Sequence, residues 1–358
     1  MEEKRPVISF SDLVAAEYFA AQRSAYATAC DRLGKRDPLH YCLAGVHFTL
    51  HCAGSLSGKH WFRAIEHLRV ESPGAESWNI YSWDDAEAGW LWQIPETDYT
   101  LGMQNLHLPK LSSRDIRVFH QEWLNIYSIV NRASREAYYV PANTGSMPTC
   151  ERTAPLRTIL NFLLNERGYQ MVHAAAIADS EGRSLLLPGE GHSGKSTTAI
   201  RWLTEGNLFQ SDDLCAIGGN EELKSLATYQ SAKLRETAVP LFPCLHPHLE
   251  HIDELGEKRS LFNVDDLGGN RLVSSARLIG ILLPKVGRQE KSILSPAKPM
   301  EVMRALIPHS TLQIPKSDNR GGQILLNAIS RLPAQHLSLG SDAAHLLSTL
   351  EGVFREHG

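Results

Sequence analysis

The sequence has no apolar run near the ~18 residues that cross a bilayer; its longest, such as Leu278–Pro284, has the length of a core strand. The first residues, Met1-Glu2-Glu3-Lys4-Arg5-Pro6, are charged and lead into no apolar stretch, so no secretory signal is expected. Positive charge is not in excess either. Lys and Arg number 36 against 40 Asp and Glu, a formal net charge of −4, which leaves no basic footprint for nucleic acid. The six cysteines, Cys30, Cys42, Cys52, Cys150, Cys215 and Cys244, include no C-x-x-C pair. Scattered free thiols in a reducing cytoplasm are the expectation. There is no internal repeat and no low-complexity segment. A G-x-S-x-G elbow is absent, as are an Asn-Lys-x-Asp guanine-reading motif and a Leu-Ser-Gly-Gly-Gln transporter signature. In the His246-Pro247-His248-Leu249-Glu250-His251 run, the proline and the irregular histidine spacing do not fit a helical i, i+4 metal pair.

What remains is a globular composition, 42% hydrophobic and 21% charged, in a chain of 358 residues, long enough for two domains. The loop-forming cluster 141–149 (Pro-Ala-Asn-Thr-Gly-Ser-Met-Pro-Thr) marks the expected boundary. It divides an α+β domain over 1–145 from a larger α/β domain over 146–358. In the first, Ser11-Asp12 is placed to cap a helix running to Leu33, with Leu13, Val14, Tyr18 and Ala21 on one face. Tyr41–Cys52 reads as one strand bent at Gly45, Trp78–Trp83 as another, and 122–140 as a hairpin turning at Arg132-Ala133-Ser134-Arg135. Most of the tryptophans fall in this half, where core or interface is the simpler reading. In the second, Leu156–Asn165 is an amphipathic helix, and Met171–Ala178 and Ser184–Leu187 are adjacent strands. A helix from Lys195 to Thr204 follows, then a strand over Leu208–Ile217 and a buried strand over Leu278–Leu283. Helices over Pro299–Ile307 and Gln323–Leu332, a short strand at His336–Leu339 and a terminal helix capped by Ser341 complete it.

Between the second of those strands and the following helix lies Gly189-Glu190-Gly191-His192-Ser193-Gly194-Lys195-Ser196, followed by Thr197. It matches G-x-x-x-x-G-K-[ST] throughout, and its apolar lead-in strand and helical exit are the context that pattern requires. Glycines let backbone N–H groups turn toward phosphate oxygens, and the helix dipole adds partial positive charge. Lys195 is expected at the β- and γ-phosphates of ATP and Ser196 on Mg²⁺. Ser211-Asp212-Asp213-Leu214 comes next, Asp212 following Lys195 by 17 residues, one short helix and one turn. That spacing returns two carboxylates to the phosphate site on the very next strand. Transfer to a hydroxyl needs carboxylates for two jobs, holding Mg²⁺ and accepting the hydroxyl proton. From the residues alone the two aspartates are interchangeable in those roles.

Val172-His173-Ala174-Ala175-Ala176, the glycine-rich loop and Ser211-Asp212-Asp213-Leu214, in that order, resemble the bacterial HPr serine kinase/phosphorylase family over about Leu156–Ile217. The resemblance implies an HPr-kinase-like fold for the second domain and ATP with Mg²⁺ as cofactors. It also implies His173 near the transferred phosphate, Asp212 as proton acceptor, and Asp213 with Ser196 on the metal. The glycine-rich C-terminal signature of the bifunctional enzymes is missing. Lys233-Leu234-Arg235, Glu257-Lys258-Arg259 and His336-Leu337-Ser338-Leu339-Gly340 instead resemble kinase-related proteins of peptide biosynthetic clusters, lasso-peptide precursor kinases among them. The implied acceptor is a peptide or protein carrying a serine, with Lys233, Lys258 and Arg259 as candidate cations for a phosphoryl group or a peptide carboxylate. No nucleic-acid or membrane partner is expected, and a homo-oligomer stands among the expectations. The alternatives are a kinase of a small hydroxyl metabolite such as free serine, and a regulatory protein that binds ATP without transferring phosphate.

Overall fold

The computed structural model describes residues 7–8, 15–57, 61–92, 94–95, 106–108, 111–121, 124–254, 257–313 and 320–357. The chain forms two compact units, one mainly Met1–Arg63 with Leu68–Leu163, the other mainly Leu164–Ile314 with Asp318–Gly358. The division falls inside the helix Arg157–Glu166. Several sheets combine with helices in a mixed α/β architecture. Among the described residues, no helix is long and apolar enough to cross a membrane.

The first unit is built on a seven-stranded sheet covered by the helix Ala15–Leu33. The expected start of that helix at Ser11-Asp12, with Leu13 and Val14, lies outside the described residues. Tyr18 and Phe19 of the helix pack on Trp83, Trp92, Tyr127 and Tyr138, and Trp78 is buried as well, so these tryptophans are core. The hairpin after Arg132 forms as expected, with Asn131 opposite Glu136 and the Asn131 carboxamide accepting from the Ala133 and Ser134 amides.

The bent strand expected over Tyr41–Cys52 is instead a hairpin, Leu39–Leu43 against Val46–Cys52. Its turn is Ala44-Gly45, both at positive φ (52° and 74°), as a tight two-residue hairpin requires. Alanine is rarely found in that conformation, which is why the turn does not announce itself in sequence. A buried ion pair closes this unit: Arg157 lies 3.0 Å from the Glu151 carboxylate, which also accepts from the Tyr139 hydroxyl at 2.7 Å.

In the second unit three parallel strands lie side by side, Arg183–Pro188, Ser275–Val286 and Ala334–Leu339. Tyr169–Ala178 runs antiparallel along the outer side of the first. Both faces of this sheet are covered, so its strands are apolar at nearly every position rather than alternating. Ala175, Ile177, Leu185 and Leu187 meet the helices Lys195–Thr204 and Ala343–Glu356 on one face. Val172, Ala174, Ala176 and Leu186 meet Pro299–Gln313 and Arg320–Arg331 on the other. The terminal helix is capped by Asp342, whose carboxylate accepts from the His345 amide, not by Ser341 as expected. Ser341 is one residue too early for its side chain to reach the N3 amide of a helix that starts at Ala343.

The expected single strand Leu208–Ile217 is two strands, Leu208–Ser211 and Leu214–Gly218, both paired with Tyr169–Ala178. Ser211 sits opposite Ala176 and Leu214 opposite His173, with Asp212-Asp213 as the break between them. Aspartate is disfavoured in a ladder, and here the Asp212 side chain takes its own partner, the Lys233 amide at 2.8 Å.

Candidate functional site

The loop Gly189–Gly194 begins where the parallel strand Arg183–Pro188 ends and feeds the helix Lys195–Thr204. Ligands of open α/β sheets bind outside the carboxyl ends of such strands. No side chain caps the first helical turn, so the amides that open the helix are available to an anion. Gly194, at φ +101°, makes the turn into the helix, and a Cβ there would collide with Leu339 Cδ1. Gly194→Ala therefore combines a left-handed alanine with an overpacked core contact. A loss of about 2–4 kcal/mol is expected in chemical denaturation, and an unchanged midpoint would show that the turn tolerates a side chain.

Lys195 is buried, and its ammonium donates to the carbonyls of Gly189 at 2.6 Å and Glu190 at 2.9 Å. Burial pulls it below the ordinary lysine value, against the charges of Asp213, Asp212 and Glu190, which favour the proton. Glu190, Gly191 and His192 are exposed along the loop; Ser193, Ser196 and Thr197 are half-buried.

Opposite the loop, the break after Ser211 presents the two aspartates in different settings. Asp212 is only 1% exposed. One oxygen accepts from the Lys233 amide, while Oδ1 is buried without a hydrogen-bond partner among the described residues. Burial and then the neighbouring Asp213 charge push its carboxyl up to about 6, although the nearby Ser196 hydroxyl and the Lys233 amide favour the ionised form. Asp213 is more open, with 32% of its side chain exposed. Its Oδ2 receives the Lys233 ammonium at 2.7 Å, and its Oδ1 lies 3.1 Å from His173 Nδ1. Burial would raise this carboxyl, but Lys233, His173 and Lys195 outweigh it and hold it below the usual carboxylate range.

His173 belongs to the strand face that carries Ala175 and Ile177, one step beyond the Ala174–Pro188 pair. The period of two thus brings it to the mouth of the loop. Its own amide donates to Ser310 Oγ at 3.0 Å.

The structure therefore gathers His173, Lys195, Asp212 and Asp213 at one end of the parallel strands, as their order in sequence implies. Lys233 joins them on the strand Ser231–Arg235. Arg235, which carries no role in the sequence reading, also reaches the loop, its Nη1 2.7 Å from His192 Nδ1. The signal for it was the period of two in Lys233-Leu234-Arg235, which puts both cations on one face. Lys258 is not brought in: its side chain is 68% exposed and 4.0 Å from Glu236. Arg259 lies directly opposite Arg235 in the adjoining strand Glu257–Asn263.

Asp212 makes a stability prediction for the metal-free protein. Its folded value, about 6, exceeds the ~3.9 of an unfolded aspartate. The folded state thus binds the proton more tightly, and this contribution to stability is full below about 4 and lost as pH rises through about 6. Asp213, shifted the opposite way, acts only below that window. In chelator, stability should fall by about 2–3 kcal/mol over pH 4–6, and Asp212→Asn should flatten that fall. An identical slope in the variant would assign it elsewhere.

No family model and no curated protein matches the sequence. Among solved structures, the chain is similar to the Hpr(Ser) kinase/phosphatase from Coxiella burnetii, with a TM-score of 0.27 and 12% identity, over 52% of this chain and 99% of that one.

Proposed function

We propose that the second unit transfers the γ-phosphoryl group of ATP to a serine hydroxyl on a peptide or protein, most narrowly the C-terminal serine of a precursor peptide. One observation carries the reading: a phosphate-type loop with its lysine faces two carboxylates at the same strand ends, one buried with an oxygen lacking a partner among the described residues and the other more open and paired with Lys233 and His173. A structural turn has no use for a buried carboxylate oxygen left without a hydrogen-bond partner, because such a group is costly unless a partner arrives.

The residues fit Mg²⁺ at one place. Asp212 offers a buried oxygen without a hydrogen-bond partner and a carboxyl raised by burial and by the Asp213 charge, with the Ser196 hydroxyl beside it. Among the described residues no group of three His, Cys, Asp or Glu is arranged to hold a metal ion, and Mg²⁺ needs no such cage, since it keeps waters and takes one or two carboxylates plus phosphate oxygens. Ser196 and Asp212 would hold it, and bound there it supplies positive charge to the β- and γ-phosphate oxygens. This exchanges the roles that the family resemblance implies for the two aspartates.

Asp213 then serves the acceptor. It is the more exposed of the pair, and Lys233 and His173 keep it ionised. The serine oxygen forms a bond to the γ-phosphorus as the bond from that phosphorus to the β–γ bridging oxygen breaks. The electron pair of the broken bond stays on ADP, and the hydroxyl proton goes to Asp213. The attacking oxygen becomes strongly acidic as its bond to phosphorus forms, so a carboxylate of low proton affinity still receives the proton. Lys195 and the loop amides neutralise charge on the phosphates.

The acceptor class is tested by incubating the protein with γ-labelled ATP, Mg²⁺ and, in parallel, serine-ending peptides, the same peptides with the serine internal, and free serine. Label on the serine-ending peptides is expected. Label on free serine alone would give the site to a metabolite kinase, and bound ATP with no transfer to any acceptor would leave a regulatory protein.

A further inference from the structure

The strand Ser231–Arg235 divides its side chains cleanly. Ala232 and Leu234 enter the apolar core beside the helix Lys195–Thr204, while Lys233 and Arg235 project from the other face. Along that face Lys233 meets Asp213 at 2.7 Å and Arg235 meets His192 at 2.7 Å. One cation thus stands at the carboxylates and the next at the rim of the phosphate loop. A guanidinium has donors only, so in this pair His192 Nδ1 is the acceptor. His192 holds a left-handed backbone, φ +67°, uncommon for a residue with a Cβ. His192 on the loop is therefore a docking point that holds an arginine at the rim without a carboxylate to cancel its charge.

Lys233 differs in this respect, because the Asp213 carboxylate already offsets it. Lys195 spends two of its three ammonium donors on the loop carbonyls. The charge that spreads over the three equatorial oxygens of a transferring phosphoryl group calls for a further cation at the rim. A planar fork suits two of those oxygens better than an ammonium does.

Resting on the phosphoryl-transfer reading above, we propose that Arg235 is a catalytic residue of this site, an arginine supplied in cis that donates to the phosphoryl oxygens in the transition state, with His192 as its positioning residue. As the P–O bond to the bridging oxygen lengthens and the electron pair moves to ADP, the guanidinium leaves or shares His192 for the phosphoryl oxygens. No proton is transferred by it.

The test needs no acceptor. MgADP with aluminium fluoride mimics the transferring phosphoryl group, and its affinity is compared with that of MgADP alone by calorimetry on the full chain. The wild type should prefer the fluoride complex by at least about a hundredfold. Arg235→Ala should lose most of that preference while its MgADP affinity stays within about threefold, and added guanidinium should restore part of it. Arg235→Lys, which keeps the charge and guards against a misfolded alanine variant, should recover only part. His192→Ala should fall between the alanine variant and the wild type, and Lys258→Ala, an exposed cation on the neighbouring strand, should match the wild type. Full preference retained in Arg235→Ala would overturn the assignment while leaving phosphoryl transfer intact. A wild type that binds MgADP but gains nothing from aluminium fluoride would overturn both.

Discussion

Asp213→Asn should reduce phosphoryl transfer by roughly a thousandfold while MgATP binds as tightly as to the wild type. The loss follows from the geometry: the substitution removes the carboxylate that Lys233 and His173 hold in the ionised state, and an amide cannot receive the hydroxyl proton. Lys233 would then sit beside a neutral group and face the phosphates with its charge uncancelled, which favours nucleotide binding rather than weakening it. Asp212→Asn should behave differently. It removes the buried oxygen next to Ser196, so ATP affinity should lose its dependence on Mg²⁺, and transfer should fall together with it. Calorimetric titrations of ATP with and without Mg²⁺, run on both variants, separate the two patterns. If Asp212→Asn keeps its Mg²⁺-dependent affinity and Asp213→Asn loses it, the roles revert to those the family resemblance implies.

The largest effect on stability is expected in the first unit. Glu151 is fully buried and Arg157 is 5% exposed. The carboxylate takes the Tyr139 hydroxyl and the guanidinium, while Arg157 also donates to the Cys150 carbonyl at 2.6 Å. Burial raises the Glu151 carboxyl, with Arg157 and Tyr139 opposing. Glu151→Ala leaves a buried guanidinium without that carboxylate and should cost about 3–5 kcal/mol. Replacing both residues with apolar ones of similar volume should cost far less, since an ion pair of this kind gives little net stabilisation over a packed core. Urea unfolding of the single and double variants reads both quantities. A single variant within about 1 kcal/mol of the wild type would mean that Arg157 finds another anion or water.

How far the sequence led differs between the two units for physical reasons. Around the loop, each residue type has one job that its neighbours confirm: glycines at a strand end, a lysine opening a helix, two acids one helix later. Backbone spacing alone carried His173, Lys195 and the aspartate pair to one place. The same spacing could not show that Asp212 and Asp213 break a strand, because apolar residues, Leu208-Phe209 and Leu214–Ile217, stand at both ends of the stretch. Nor could it separate their roles, which depend on what each carboxylate touches: an amide from Lys233 for one, an ammonium from the same lysine for the other. Arg235 escaped because its partner, His192, is 43 residues away and meets it only through a separate three-stranded sheet. In the first unit the aromatic core was legible as composition, whereas the Ala44-Gly45 hairpin was hidden by an alanine in a glycine-like conformation.

The claim on which everything else depends is that this loop and this aspartate pair move phosphate to a hydroxyl rather than merely bind nucleotide. It is tested most directly by following the γ-label of ATP in the wild type, Lys195→Ala and Asp213→Asn, each saturated with MgATP and mixed with serine-ending peptides. The expected result is acid-stable label on the peptide serine with the wild type alone, with Asp213→Asn still binding MgATP. Equal labelling by wild type and Asp213→Asn, or tight MgATP binding by the wild type with no label on any acceptor, would contradict it.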